Sequence, residues 1–140
     1  MEQYSKPLPQ TKLPKVSEEF WKGAKKHELV IQQCSECGKK IFYPRLFCTE
    51  CLSSNFKWIK CSGRGKIYSY AVARVGTPRP FADSAPYIIA VIKLEEGVTM
   101  SSNIVNCKPE DVKCDMDVEA VFEDVTEEIT LVKFKPVGTF

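Results

Sequence analysis

The sequence predicts a mainly β protein, two small lobes behind a short N-terminal helix, and three observations carry that expectation. Cys34, Cys37, Cys48 and Cys51 form a Cys-x2-Cys-x10-Cys-x2-Cys array. From residue 61 onward, five apolar segments alternate with turn residues and show no helical period. Ahead of the cysteines, Phe20, Trp21 and Ala24 recur at near-helical spacing.

Residues 1–27 are read as a lead-in and helix. Pro7, Pro9 and Pro14 make the first fifteen residues extended or mobile. Ser17 is a good helix cap, and Glu18 and Glu19 put negative charge where the helix dipole favours it. The helix is expected to end near His27. Phe20 and Trp21 either dock on the rest of the chain or form part of a ligand or partner surface, since an exposed aromatic pair is costly unless used.

Residues 28–60 are read as a zinc ribbon. Leu29 to Gln33 leads as a strand into the first cysteine pair, Ile41-Phe42-Tyr43 is stopped by Pro44, and Phe56 to Ile59 is the exit strand. Each cysteine pair fits one tight turn, and Gly38 can take the left-handed angle such a turn needs. Four thiolates at this spacing close a tetrahedron around one soft divalent ion, most often zinc, and leave no position for water or substrate. The metal is therefore expected to be structural.

Residues 61–140 are read as an all-β domain. Ser62-Gly63-Arg64-Gly65 opens it as a flexible turn, and Lys66 to Val75 follows, rich in Ile, Tyr and Val. Tyr87 to Leu94 is a nearly continuous apolar run closed by Glu95-Glu96-Gly97. Val98 to Val105 mixes polar and apolar residues, Val118 to Glu123 alternates with period two, and Leu131 to Val137 is last. One helical turn is expected at Lys108 to Val112. Five strands with a small insert after the third match a five-stranded OB-fold barrel. The loop Gly76 to Pro86, stiffened by three prolines, joins the first two barrel strands and sets Arg79 beside Phe81 on a candidate ligand face.

The 140 residues, 44% of them hydrophobic, allow one ordinary domain or two small ones. Net charge is +2, from 20 basic and 18 acidic residues, which argues against a sequence-independent polyanion binder. No apolar run is long enough to span a membrane and the first ten residues lack a signal-peptide core, so a cytoplasmic location is expected. Four of seven cysteines are taken by metal; Cys61, Cys107 and Cys114 remain, with Cys107 and Cys114 either bridged or free.

The order of an aromatic-bearing helix, Cys34-Ser-Glu-Cys37-Gly38, Tyr43-Pro44-Arg45, Cys48-x2-Cys51, Trp58, Ser62-Gly63-Arg64-Gly65, Ala85-Pro86-Tyr87 and Leu94-Glu95-Glu96-Gly97 resembles the zinc-ribbon/OB-fold proteins of acyl-CoA metabolism, long catalogued as a domain of unknown function. Members of that family are partners of thiolase-superfamily enzymes. Some lie beside acetoacetyl-CoA thiolase and hydroxymethylglutaryl-CoA synthase in archaea, and others accompany acyltransferases or side-chain-cleaving aldolases of steroid breakdown. The resemblance implies a non-catalytic scaffold subunit that bridges enzyme subunits and contributes to a CoA channel. One departure is visible: the family usually has a glycine before the fourth barrel strand, where this chain reads Lys113-Cys114-Asp115-Met116.

CoA needs cations for its phosphates and an apolar slot for its arm. Arg45, Arg64, Lys66, Arg74 and Arg79 are candidates for the first, and Phe20, Trp21 and Phe81 for the second. An enzyme acting alone would need an activated nucleophile and a base. His27 is the only histidine and is expected in solvent, and Cys61 has none within sequence reach. The rival from another class is a single-stranded nucleic-acid binder. Tyr68 and Tyr70, placed on one strand face, would stack bases, but the acidic stretch Glu119 to Glu128 opposes it.

Overall fold

The computed structural model describes residues 6–9 and 15–138; the expected lead-in lies largely outside the described residues. A 3-10 turn at Lys15–Ser17 runs into helix α1 (Glu18–Lys25). Ser17 makes no side-chain cap hydrogen bond, so the first-turn carboxylates carry the favourable N-terminal charge. The helix stops at Lys25, short of His27, whose φ of 62° takes the chain out of helical conformation.

Three strands build the ribbon: β1 (Val30–Cys34), β2 (Lys40–Ile41) and β3 (Phe56–Lys60), in the order β2-β1-β3, all antiparallel. Five more close a barrel: β4 (Arg64–Ala73), β5 (Tyr87–Leu94), β6 (Thr99–Ile104), β7 (Asp117–Asp124) and β8 (Thr130–Pro136), ordered β4-β5-β6-β8-β7. This is the mainly β, OB-type architecture expected. The proline loop before β5 holds a 3-10 helix over Arg79–Ser84, and Lys108 to Val112 is a hydrogen-bonded turn in place of the expected helical turn. Asp115 supplies the left-handed residue (φ 67°) ahead of β7, a conformation that Asp tolerates better than most residues.

Ile67, Ile88, Ile92, Val118 and Phe134 are buried at the barrel centre. The same cluster takes in Leu29 and Ile31 of the ribbon and Phe20 of the helix, so one core spans helix, ribbon and barrel. Phe20 is only 8% exposed, with Trp21 edge-on at 5.0 Å and Phe42 at 5.5 Å. Burying such a ring stabilises the docked helix by about 1.5–3 kcal/mol. Phe20 therefore belongs to the core and not to a ligand surface, and Trp21 packs against that core as well.

A bulge between Ile67 and Ser69 shifts the β4–β5 register by one residue. It separates the two tyrosines expected to share a face. Tyr70 pairs with buried Ala90 on the inner side, while Tyr68 is the inserted residue and stands 68% exposed. Both rings are exposed, Tyr70 at 41%, but they do not share the one strand face expected for stacking bases.

Candidate functional site

The two cysteine pairs form two copies of one turn. Cys34 N–H donates to Lys39 O and Gly38 N–H to Cys34 O; Cys48 N–H donates to Ser53 O and Leu52 N–H to Cys48 O. The residue after each pair is left-handed, Gly38 at φ 79° and Leu52 at φ 64°. These turns bring Cys34 Sγ to 3.5 Å from Cys51 Sγ and Cys37 Sγ to 3.6 Å from Cys48 Sγ, and all four sulfurs lie within 4.8 Å of one another. A zinc–sulfur bond of about 2.3 Å sets tetrahedral edges of about 3.8 Å, so the donor set fits zinc in number, element and spacing.

Backbone dipoles prepare the sulfurs. The Cys51 and Glu50 N–H groups point at Cys48 and lower its thiol to about 6, while those of Cys37 and Glu36 lower Cys34. At Cys51 the Ser53 N–H acts the same way but is outweighed by its contact with Cys34 and by burial, and the thiol rises to about 12; Cys37 is also raised. Four crowded thiols cannot all carry charge, and a divalent cation removes that conflict. Four sulfurs leave it no open coordination position, so the zinc is structural.

Besides the shared core, three polar contacts among the described residues attach helix and ribbon to the barrel. The lobe linker is clasped by the β5–β6 turn: Ser62 N–H donates to Glu96 Oε2 at 3.0 Å and Ser62 Oγ to Glu95 Oε2 at 2.9 Å. Tyr43 reaches from the ribbon so that its hydroxyl accepts from Ser101 N–H at 2.9 Å. His27 is exposed, as expected, but it is not without a partner. Its Nε2 lies 3.0 and 3.1 Å from the two Asp124 oxygens and its ring stacks on Phe122 at 5.2 Å. Thr130 donates to the same carboxylate, and these bonds, Thr130 first, hold Asp124 below the usual carboxylate range. Cys61 lies buried beside the clasp, where burial and then Glu96 push its thiol up to about 12, so it is no nucleophile at neutral pH.

The eight candidate ligand residues do not converge. Arg64 and Lys66 line a groove of about 410 Å³ with Lys93 and Glu95, and Lys66 is bridged to Asp117. Arg45 stands on the ribbon's outer turn, its backbone pinned by buried Gln32 through bonds of 2.7 and 2.9 Å. Arg74 and Arg79 are exposed on the loop that follows β4. Of the eight, only Phe81 enters a largely apolar cleft of about 600 Å³ on the outer barrel face, where Tyr87 and Ile89 form the floor and Ser101, Asn103 and Lys133 the polar side. Sequence reasoning missed those cleft residues; the alternation of β5 and β6 was the available signal, since Tyr87, Ile89, Ser101 and Asn103 are the positions opposite the core-facing ones.

Residues 21–57 match the model for the rubredoxin-like zinc ribbon domain of ChsH2, and residues 58–123 match that for its C-terminal OB-fold domain. A DUF35 domain-containing scaffold protein of Methanocaldococcus jannaschii is 43% identical over 84% of this chain and 88% of its own length. The benzoylsuccinyl-CoA thiolase subunit BbsA of Geobacter metallireducens is 30% identical over 62% of this chain and 56% of its own. Among solved structures, the Ltp2–ChsH2(DUF35) aldolase superposes with a TM-score of 0.82 over 91% of this chain and 98% of that one, at 28% identity.

Proposed function

The chain belongs to the DUF35 family of zinc-ribbon/OB-fold proteins, and from that premise we propose that it is a non-catalytic accessory subunit that binds a thiolase-like or hydroxymethylglutaryl-CoA synthase-like enzyme and helps form its CoA channel. Relatives named as scaffold proteins and as a CoA-thiolase subunit support the coarser part, an accessory subunit in acyl-CoA metabolism. The Phe81–Lys133 cleft carries the finer part. It pairs aromatic and aliphatic walls with hydroxyl, amide and ammonium groups, the set that a long apolar arm bearing amides requires. In this reading the pantetheine arm or acyl chain lies along Tyr87 and Ile89, and the companion enzyme supplies the reacting groups. Closed metal coordination, a neutral Cys61 and a histidine occupied by Asp124 support the non-catalytic part. None of the seven cysteines is in a disulfide, which suits a reducing, cytoplasmic setting. Among the described residues no helix is long and apolar enough to cross a membrane.

The test is gentle co-purification from the native host with identification of companion polypeptides, followed by CoA and acetoacetyl-CoA titration of the reconstituted complex. Recovery of a thiolase-type enzyme, with affinity reduced about tenfold or more by Phe81→Ala, is expected, since losing one well-packed aromatic anchor costs more than about 1 kcal/mol. Thioester turnover by the isolated chain, or recovery of nucleic-acid-processing proteins alone, would refute it.

A further inference from the structure

β4 runs for ten residues, yet its pairing with β7 covers only Arg64, Gly65 and Lys66, ending with the bonds Ile67 N–H to Met116 O and Asp115 N–H to Ile67 O. From Tyr68 to Ala73 it pairs with β5 alone, and no described residue pairs with its other edge. Tyr68, Ser69, Tyr70 and Ala71 are exposed in succession. A row of unpaired backbone groups recruits another strand, and natural edges are blunted by lysine, proline, shortness or cover. Among the described residues, three other edges show those devices. β3 carries Lys57 and Lys60, β2 has two residues, and the free half of β7 is covered by the linker bond from Ala120 N–H to Gly63 O and by His27. Beyond the bulge, β4 has none of them. Between Lys66 and Arg74 it has neither charge nor proline.

We propose that the open β4 edge pairs antiparallel with the same edge of a second copy, giving a two-fold dimer with a continuous sheet across the interface. An unpaired edge needs another unpaired edge, and its own twin offers one at equal concentration; a two-fold contact satisfies both at once. Register follows from the bulge. Ile67 turns its N–H and C=O towards β7, and the inserted Tyr68 shifts the alternation, so Tyr70 and Val72 turn theirs to the open edge. Pairing Tyr70 with Val72 of the second copy, and the reverse, puts the axis at Ala71. Two alanines then face each other across a non-hydrogen-bonded position, the closest kind, at about 4.5 Å between Cα atoms. No like charges are opposed in this register. The dimer is independent of the acyl-CoA reading and can stand or fall without it.

Sedimentation of the zinc-loaded chain at about 100 µM, where a micromolar association is essentially complete, should give twice the 15.9 kDa chain mass. The exposed double substitution Ser69→Lys/Ala71→Lys should give the single-chain mass with unchanged zinc content and circular dichroism. Should that variant not fold, two measurements decide. Amide exchange across residues 68–73 of the unaltered chain should slow as concentration rises. Ala71→Cys should form an inter-copy disulfide at position 71 under mild oxidation, because the expected Cα separation suits one, whereas Val75→Cys should not. A single-chain mass at high concentration, a double-lysine variant that still dimerises, or exchange indifferent to concentration would each overturn the proposal.

Discussion

Gly65→Ala tests how closely the barrel strands approach where the lobe linker enters. Gly65 pairs with Leu94 on one side and Val118 on the other, so β4 is held from both edges. A Cβ at this position would lie 2.5 Å from the Lys93 carbonyl oxygen, 3.0 Å from Ile92 Cγ2 and 3.1 Å from Leu94 Cα. The nearest obstacle is backbone, which cannot rotate away. Separation to 3.0 Å requires at least half an ångström of strand movement from 2.5 Å, and overpacking of this kind costs about 1–3 kcal/mol. For a chain of this size that is a fall in Tm of about 3–10 °C. Gly97→Ala is the control: it meets nothing within 4 Å but sits at φ 96°, so its cost is conformational alone, about 1–2 kcal/mol. Thermal melts of zinc-saturated protein, checked by denaturant titration, measure both. A Gly65→Ala Tm within 1 °C or so of the unaltered chain would refute the close-approach argument, since even the smallest predicted cost exceeds that shift.

Cys48→Ser should abolish stoichiometric zinc binding and unfold the ribbon: two of the three buried residues in its own core are ligands, Cys34 and Cys48, leaving Ile41 with Phe56 beside it. Metal analysis and amide exchange over β1–β3 check this, and persistent protection without zinc would contradict it. Asp124 is held below the usual carboxylate range, so its contribution is present above about pH 4 and is lost as pH falls through the folded value; Asp124→Asn should flatten the acid limb of the stability curve. Cys61 works in the opposite direction. Its thiol, raised to about 12, stays neutral in the folded chain while the unfolded one ionises above about pH 8.5, so stability falls as pH rises from there towards 12. Cys61→Ala should remove that alkaline decline, as followed by denaturant midpoints across the range.

The zinc site was legible because its four ligands are close in sequence and the turn chemistry is local: Gly38 announces its left-handed turn. Leu52 takes the same conformation without announcing it, since the metal and the flanking bonds impose that backbone on a residue that disfavours it. The strands of the barrel followed from apolar, β-rich runs bounded by turn residues, and β7 from period-two alternation, with ends displaced by a residue or two. The bulge at Tyr68 left no mark in composition, yet one inserted residue moved Tyr70 to the other face. One contact of exposed His27 was missed for a different reason. Its partner Asp124 is 97 residues away, and no local pattern reports such a contact. The ligand residues were chosen by charge and ring, which identifies chemistry without identifying direction; the cleft is defined by which strand faces point outward.

The clasp at Ser62, the Tyr43–Ser101 bond and the His27–Asp124 pair fasten ribbon and helix to the barrel at three separated points. Three anchorages remove the pivoting that a single linker would allow. The molecule then serves as a ruler: anything gripping the metal-bearing end stands at a set distance and angle from anything lodged along the barrel wall.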